Sequence, residues 1–408
     1  MESFQRQRLA AAMEARGLDI LIAATPPNVL YCSGVYSLGQ WLMANVQAYA
    51  LVPKDPAAPP LVVLPISDAD LVAERRPPLG GVCAYGTFFV EPPGVAGIEP
   101  APGALAAEDE ELARLAVQRP AASPQDALLD AVRALLPAAR IGVDEAGMPA
   151  SVRAQLAAAL PGVEIVPAAD AIMRARMVKS PAEQARLQRA AHITEEGMMA
   201  VIGRLREGMT EREAQRIFEE TLVAHGARPV LSVIGFGPHS AYPNATPGER
   251  RLAPGDIVRF DVGCIYEHYW ADLSRCAVFG EPGPRVTEYY RALVIGEDAA
   301  IAAVRPGATA GQVFAQAVEA VREAGIPHYR RQHVGHGIGL EVYDPPVLRP
   351  GDDTVLEPGM VLNVETPYYE LGFGGLQIED VVVVTEDGCQ VLTKTPRELY
   401  VVEAGGRR

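Results

Sequence analysis

The sequence contains few cysteines, and their spacing matches no structural pattern. Of its 408 residues five are Cys, and no two of them form a C-x-x-C pair. An odd number without such pairs argues against a disulfide framework and against a zinc ribbon. We therefore expect free, mostly buried thiols in a protein of a reducing compartment.

Long apolar runs are missing as well. No stretch of the sequence approaches the roughly 18 consecutive apolar residues that a membrane-spanning helix needs. The opening segment, MESFQRQRLA, also lacks the apolar core of a secretion signal. These two absences predict a cytoplasmic protein without a membrane partner.

Positive charge is in the minority. The chain has 36 Lys and Arg against 51 Asp and Glu, which gives a formal net charge of −15. Such an acidic surface argues against nucleic acid and anionic membranes as the main partners. Hydrophobic residues make up 49% of the chain, which is ample for a core, and the length favours two domains or one large one.

The first part of the chain alternates between strand-like and helical segments. The apolar stretches DILIAA, VQAYALVP and PLVVLPI predict strands, and helical patterns stand between and after them. This alternation predicts a small α/β domain over residues 1–168. Residues 77–106 are rich in Pro and Gly and predict a long excursion around the apolar stretch TFFV.

The character of the sequence changes near residues 170–180. Ser180-Pro181-Ala182-Glu183 is a capping box with Pro at the first helical position, and it opens a long helix. The helices that follow alternate with β-rich segments, for which we predict residues 229–236, 256–279, 338–343 and 360–394. Residues 169–408 are therefore expected to form an α+β domain with mixed or antiparallel strands.

Five residues of this second part are candidate metal ligands. They are four carboxylates and one imidazole, each in a short stretch with strand or turn character: Asp261, Asp272, His336, Glu365 and Glu379. Oxygen-rich ligation with one His suits Mn, Co, Fe or Zn. Two such ions that share carboxylates can convert a bridging water into hydroxide at neutral pH. The sequence thus indicates a metal-dependent hydrolase.

These candidates stand in motifs that resemble a known family, the pita-bread metallopeptidases, which include prolidase, aminopeptidase P, methionine aminopeptidase and creatinase. The family pattern runs D-x-G, D-x-[ST]-R, G-H-G-[IV]-G, Glu before Pro, and I-E-D. It appears here at Asp261, Asp272, His336, Glu365 and Glu379, in this order. The segments NVLYCSG, RMVKSPAE and LTKTPREL extend the resemblance over nearly the whole chain.

The resemblance implies a domain plan and a cofactor. Residues 1–168 would be an α/β domain of the creatinase and prolidase type, with roles in substrate access and dimerisation. Residues 169–408 would be the pita-bread catalytic domain, which holds two divalent ions of unknown identity (Mn, Co, Zn or Fe). The resemblance also implies a homodimer.

The resemblance further assigns a role to each candidate ligand. Asp261 would chelate one ion, Asp272 and Glu379 would bridge the pair, and His336 and Glu365 would complete the site of the other ion. Glu365 would also pass protons between the bridging water and the leaving group.

Several positions around the ligands depart from the family pattern. Asn244 stands where proline-specific members carry a His, and Tyr343 stands where they carry another. Gln377 replaces the Arg that commonly precedes I-E-D. Two imidazoles and one guanidinium are thus replaced by neutral groups, which predicts slower peptide hydrolysis or a changed substrate. A dipeptide carboxylate would then need another partner.

Two histidines could take over part of the missing chemistry. His333 is close to His336 in the sequence and is our candidate catalytic residue together with Glu365. His239 lies in the segment of Asn244 and is a candidate for substrate binding, as are Asn244, Tyr343 and Gln377. The alternative for His239 is an ordinary solvated loop residue.

The predicted function is hydrolysis of a C–N bond in a small peptide or amide, in the manner of Xaa-Pro dipeptidase or aminopeptidase P. One alternative is a relative with altered chemistry, such as a creatinase-like amidohydrolase or a lyase. Another is a non-catalytic binding protein on the same fold. Creatinase-type members dispense with metals and non-catalytic relatives lose the ligands, so the five retained candidates favour the hydrolase.

Overall fold

A computed structural model of the protein describes residues 2–90, 106–116 and 120–404. The chain divides into two compact units, Met1–Arg176 and Met177–Arg408. The boundary expected after residue 168 and the roles assigned to the two domains stay predictions. Of the predicted excursion over residues 77–106, residues 91–105 lie outside the described residues.

The first unit is built around a six-stranded mixed sheet. Its strands are β1 (Ile20–Ala23), β2 (Tyr49–Pro53), β3 (Leu61–Pro65), β4 (Gly81–Tyr85), β5 (Arg140–Val143) and β6 (Glu164–Pro167). They lie in the order β4-β3-β2-β1-β5-β6. The pairs β3–β4, β1–β5 and β5–β6 are parallel, and β1–β2 and β2–β3 are antiparallel.

Helices complete the first unit. They are α1 (Ser3–Arg16), α2 (Pro26–Ser33), α3 (Leu38–Leu42), α4 (Ala69–Arg75), α5 (Ala107–Ala116), α6 (Pro124–Arg133), α7 (Ala150–Ala159) and α8 (Ala169–Met177). Apolar residues of the central strands, such as Ile22 and Ile141, pack with Leu128 of α6 and Leu156 of α7 in one buried core. The predicted α/β class of this part is confirmed.

The second unit contains four long helices, α9 (Pro181–Ile202), α10 (Glu211–Ala224), α11 (Pro284–Ala303) and α12 (Ala310–Glu323). The capping box predicted at the start of α9 is present, since the Glu183 amide donates to Ser180 Oγ and the Ser180 amide donates to Glu183 Oε2.

None of the helices in the described ranges has both the length and the apolar composition that crossing a membrane would require.

The sheet of the second unit has ten strands. They are β7 (Arg228–Phe236), β8 (Ile257–Tyr266), β9 (Tyr269–Trp270), β10 (Leu273–Phe279), β11 (Gly335–Gly337), β12 (Asp344–Val347), β13 (Val361–Glu365), β16 (Glu379–Val384), β17 (Cys389–Val391) and β18 (Tyr400–Val402), while β14 (Tyr368–Glu370) and β15 (Gly374–Leu376) form a separate hairpin. The main path runs β12-β11-β13-β16-β10-β8-β7. The predicted α+β class is confirmed.

The strand expected over residues 338–343 is wrong. These residues form bends between β11 and β12, which pair antiparallel with His336 opposite Val347 and Gly337 opposite Asp344. The chain has to reverse direction between the two strands, so the apolar residues of this segment belong to the connection. Its sequence has the composition of a strand but the position of a turn.

The faces of β8 determine where the functional side chains lie. Cys264 faces α9, because its sulfur accepts a hydrogen bond from Thr194 Oγ1 at 3.3 Å. Successive side chains of a strand point to opposite faces. Arg259 and Asp261 of the same strand therefore lie on the face that is turned away from α9.

Candidate metal centre

Four neighbouring strands of the second unit place one row of side chains on the same face of the sheet. Ser274 of β10 lies opposite Asp261 of β8 and also opposite Glu379 of β16, and Glu379 lies opposite Glu365 of β13. Directly opposed residues of antiparallel strands point to the same side. The register therefore brings Asp261, Glu379 and Glu365 together across the sheet.

The other two candidate ligands join this row from the same face. Asp272 stands two residues before Ser274, so strand alternation directs its side chain to the same side. His336 of β11 lies opposite Asn363, which precedes Glu365 by two residues on β13. All five candidate ligands consequently share one face of the sheet.

Three of them form a compact ligand set. One ligand atom from each of Asp272, His336 and Glu379 lies within 4.8 Å of the other two, and all three residues are buried. His336 Nε2 is 4.0 Å from Asp272 Oδ2. The opposite ring nitrogen, Nδ1, donates to the Gly337 carbonyl at 3.0 Å, which leaves the Nε2 lone pair for a metal ion.

Electrostatics at this set favour a bound cation. Burial, together with the charges of nearby carboxylates, raises the pKa of Asp272 and of Glu379 well above the usual range. Burial also lowers the pKa of His336, which keeps the imidazole neutral as a ligand. Among the described residues, Asp272 Oδ1 is buried without a hydrogen-bond partner. An unpartnered carboxylate oxygen among like charges fits a divalent ion.

Asp261 differs from these ligands in having a cationic partner. Arg259 Nη1 donates to Asp261 Oδ2 at 3.1 Å. Burial raises the pKa of Asp261, the guanidinium of Arg259 opposes that shift, and the charge of Glu365 adds to it. The side chain of Asp261 is 19% exposed, so it forms the more open end of the row.

Glu365 is the candidate carboxylate ligand whose pKa is lowered. Burial alone would raise its pKa, but the hydrogen bond with His333 and the charge of Arg331 outweigh burial and lower it. His333 Nδ1 lies 3.0 Å from Glu365 Oε1. The structure thus brings His333 directly to a candidate ligand.

Tyr343 lies against the ligand set. Its ring stacks on the His336 imidazole, with 3.7 Å between the ring centroids and an interplanar angle of 22°. The His333 ring is 5.8 Å away in an edge-on arrangement. Burial and the charge of Glu365 raise the pKa of Tyr343, so the phenol is neutral and can donate a hydrogen bond.

Gln377 occupies a buried position behind Glu365. Its Oε1 accepts hydrogen bonds from Arg259 Nη1 at 2.8 Å and from the Tyr369 hydroxyl at 3.0 Å. Its Nε2 donates to Glu365 Oε2 at 3.4 Å. The neutral amide therefore connects a guanidinium to a ligand carboxylate at the place where the family pattern has an Arg.

The remaining two candidates stand apart from the ligands. His239 lies in a short 3₁₀ helix (Gly237–Ala241), and its Nδ1 is 2.7 Å from Oε1 of the buried Glu211. Asn244 is exposed. Neither side chain forms a hydrogen bond to the five candidate ligands in the part of the chain that the structure describes.

Sequence reasoning missed two residues on the ligand face. Asn363 Nδ2 donates to Glu379 Oε1 at 2.7 Å and to the Asp272 carbonyl at 2.8 Å, so it orients two ligands at once. Arg259 holds Asp261. Each residue stands two positions before a candidate ligand on the same strand, and strand alternation alone could have identified both.

Comparisons with known proteins agree with this geometry. Residues 185–386 match the model of metallopeptidase family M24, and residues 101–178 match the creatinase/prolidase N-terminal domain. A Xaa-Pro dipeptidase of Pyrococcus furiosus is 36% identical over 232 residues, which are 56% of this chain and 67% of that protein.

Solved structures extend the similarity to nearly the whole chain. The dipeptidase PepE of Mycobacterium ulcerans is 31% identical, with a TM-score of 0.77 over 98% of this chain and 97% of that one. The prolidase of Pyrococcus horikoshii is 26% identical, with a TM-score of 0.75 over 97% and 99% of the two chains. The chain therefore belongs to metallopeptidase family M24, and it is a prolidase-like enzyme with a pita-bread catalytic domain, of a family that implies divalent metal cofactors.

Proposed function

We propose that the protein is a metal-dependent hydrolase of the Xaa-Pro dipeptidase or aminopeptidase P type, which cleaves a C–N bond in a small peptide or amide. The observation that carries this proposal is the buried set of Asp272, His336 and Glu379, whose two carboxylates form no ion pair with a Lys or Arg in the part of the chain that the structure describes. Relatives named Xaa-Pro dipeptidase and dipeptidase support the same class of substrate.

The charge balance of the site supports two divalent ions. Four carboxylates share one face of the sheet, and within the described residues Asp261 alone among them receives a direct hydrogen bond from a guanidinium. Two ions of Mn, Co, Zn or Fe would be held by Asp261, Asp272, His336, Glu365 and Glu379. When bound, such ions supply an activated hydroxide and polarise the scissile carbonyl.

The proton steps fall to Glu365 and His333. Glu365 is ionised and can accept a proton from the attacking water and then deliver it to the leaving nitrogen. His333, 3.0 Å from Glu365 Oε1, fixes the orientation of this carboxylate and stabilises its charged form. Tyr343, whose ring stacks on His336, would donate a hydrogen bond to the carbonyl oxygen of the substrate.

One specific observation favours a second candidate within the same enzyme class. The neutral Gln377 and Tyr343 stand where an Arg and a His are expected in proline-specific peptidases. A substrate without a carboxylate would not need the missing guanidinium at Gln377. Hydrolysis of a small-molecule amide, as in creatinase-like amidohydrolases, is therefore the alternative, and a lyase is a third possibility on the same fold.

A panel of substrates and metals tests the proposal. Xaa-Pro dipeptides and small amides would be incubated with the protein and Mn, Co, Zn or Fe. We expect metal-dependent hydrolysis of at least one dipeptide, and no hydrolysis or metal binding by Asp272→Ala. Asp353→Ala, at an exposed carboxylate of the same unit, is the matched control and should behave as wild type. Hydrolysis of amides alone would establish the alternative.

The quaternary structure and location form a separate part of the proposal. Prolidase- and creatinase-like proteins are similar in forming homodimers, and we propose the same here, with residues 1–168 serving substrate access and dimerisation in the cytoplasm. Light scattering on the purified protein would give the mass of a dimer. A monomer at micromolar concentration would contradict this part without affecting the metal site.

A further inference from the structure

Two arginines lie near the ring of Tyr369, and their guanidinium groups differ in their hydrogen bonds. The guanidinium carbons of Arg259 and Arg331 are 5.1 Å and 5.7 Å from the centroid of the Tyr369 ring. Both are also close to candidate metal ligands, Arg259 to Asp261 and Arg331 to Glu365. Arg259 forms hydrogen bonds with the protein through its whole guanidinium, whereas Arg331 has donors that are not used in the described part of the chain.

All three nitrogens of the Arg259 guanidinium donate to the protein. Besides Asp261 and Gln377, its acceptors are three backbone carbonyls, with Nε 2.8 Å from that of Ser240 and Nη2 2.6 Å and 3.1 Å from those of Tyr242 and Pro243. Arg259 is fully buried. It is therefore committed to holding Asp261 and the segment that contains Tyr242, and it has no free edge for a ligand.

The guanidinium of Arg331 has hydrogen-bond donors that no acceptor uses within the described residues. Its side chain is 11% exposed, and within the described ranges its Nε is buried without a hydrogen-bond partner. Its Nη2 is 4.0 Å from Glu365 Oε1, which is close enough for charge attraction but too far for a hydrogen bond. A buried guanidinium with unused donors is costly unless a further acceptor arrives.

We infer that Arg331 binds the free α-carboxylate of the substrate and so makes the enzyme selective for short peptides that end at the site. This inference rests on the proposed peptidase function. A guanidinium offers parallel N–H donors that match the two oxygens of a carboxylate, whereas an uncharged amide offers one oxygen. Tyr369 and the charge of Glu365 hold Arg331 in place without using its hydrogen bonds.

The position of Arg331 also explains how Gln377 is tolerated. The guanidinium expected before I-E-D is absent, and Gln377 accepts a hydrogen bond from Arg259 instead. Arg331 then supplies a cation beside Glu365 from the segment that precedes His336. The four ligand carboxylates would offset the charge of the two proposed ions. A substrate carboxylate would then gain from a further cation, and Arg331 is the guanidinium near the site whose Nε has no hydrogen-bond partner among the described residues.

The test compares L-alanyl-L-proline with its C-terminal amide, L-alanyl-L-prolinamide. Wild type should prefer the free acid by about 10- to 100-fold in kcat/KM, as expected for a charge-assisted contact. Arg331→Met should reduce the ratio of acid to amide to near one, and Arg331→Lys should give an intermediate ratio. Arg330→Met, at the exposed neighbouring position, should keep the wild-type ratio.

A binding measurement separates this inference from the proposed function. Calorimetric titration of the metal-free protein with the same two compounds should show tighter binding of the acid, and Arg331→Met should abolish the difference. Equal ratios in wild type and Arg331→Met, in hydrolysis or in binding, would overturn the inference while leaving the peptidase intact. Absence of hydrolysis of every dipeptide and amide of the panel, with every metal, would overturn the proposed function. The difference in binding between the acid and the amide would then still show whether Arg331 binds the carboxylate.

Discussion

Two neighbouring residues of one strand, Glu379 and Asp380, have opposite electrostatic environments. Glu379 faces the candidate ligands, and burial together with the charge of Asp272 raises its pKa well above the usual range. Asp380 faces the other side of the sheet, where Arg275 Nη2 and Arg397 Nε lie 2.7 Å and 2.5 Å from its oxygens. Burial alone would raise the pKa of Asp380, but the two guanidinium groups lower it.

The two faces of the sheet therefore have different roles. The face of Asp380 contains its own cations and is a structural ion cluster. The face of Glu379 gathers carboxylates with too few cations, which costs stability in the metal-free chain and creates affinity for divalent ions. Strand alternation lets two consecutive residues serve these opposite purposes.

Breaking the structural face is expected to have the largest effect. Arg275→Met removes a fully buried partner of Asp380 and leaves part of that charge uncompensated. The free energy of unfolding should fall by about 3–5 kcal/mol, while the number of bound Mn ions per folded chain stays the same. Urea unfolding measures the loss, and Arg291→Met, at an exposed position of α11, is the control. A loss below about 1 kcal/mol would contradict the structural role of this face.

The carboxylates Asp272 and Glu379 should make the free energy of unfolding depend on pH in the direction opposite to that expected from Asp380. The pKa values of Asp272 and Glu379 are raised well above their usual values of 3.8 and 4.5, so the folded chain holds protons that the unfolded chain releases. The free energy of unfolding of the metal-free protein should therefore fall as the pH rises above these values, by about 1.4 kcal/mol for each unit of raised pKa. Urea unfolding in a chelator, at several pH values, measures this slope.

Asp380 should change the free energy of unfolding with pH in the opposite direction. Because its pKa is lowered from 3.8 in the folded protein, its contribution is present above that value and is lost as the pH falls below it. In Asp272→Asn, the free energy of unfolding should fall less as the pH rises. Its fall at acidic pH, to which Asp380 contributes, should be the same as in wild type. The same slope in wild type and Asp272→Asn would show that the ligand carboxylates are not the cause.

Glu297 of α11 is a buried carboxylate outside both of these clusters. It is fully buried, neither carboxylate oxygen has a hydrogen-bond partner among the described residues, and burial raises its pKa well above 4.5. Glu297→Gln should raise the free energy of unfolding at neutral pH by about 1–3 kcal/mol, with less gain toward pH 4.5. Glu288→Gln, exposed on the same helix, should change it little at any pH. A gain independent of pH would exclude titration of Glu297 as the reason.

The smallest effect is expected from substitutions of residues that surround the candidate ligands, and it concerns kcat/KM. Tyr343→His would restore an imidazole that stacks on His336, and kcat/KM for a Xaa-Pro dipeptide should rise by about tenfold. Asn244→His should have a smaller effect, because Asn244 is exposed and forms no hydrogen bond to the candidate ligands in the described ranges. Measurement of kcat/KM on one dipeptide with both variants would show which substitution gives the larger gain. A larger gain from Asn244→His would show that its segment closes over the site.

Motifs in the sequence were sufficient to predict the two fold classes and to choose five residues that lie on one face of the sheet. The contacts of Arg331 and Gln377 could not be predicted, because they depend on how β13, β14 and the segment before β11 pack in three dimensions. The strand expected over residues 338–343 was wrong for a related reason. Composition cannot show where a chain must reverse direction.

The most direct test of the metal centre is the number of divalent ions that the wild-type protein binds. Equilibrium dialysis against Mn near neutral pH, followed by metal analysis, measures this number without assuming a substrate. We predict about two ions per chain and a higher free energy of unfolding in the presence of Mn. A protein that binds no ion, and that unfolds at the same urea concentration with and without Mn, Co, Zn or Fe, would contradict the proposed metal centre.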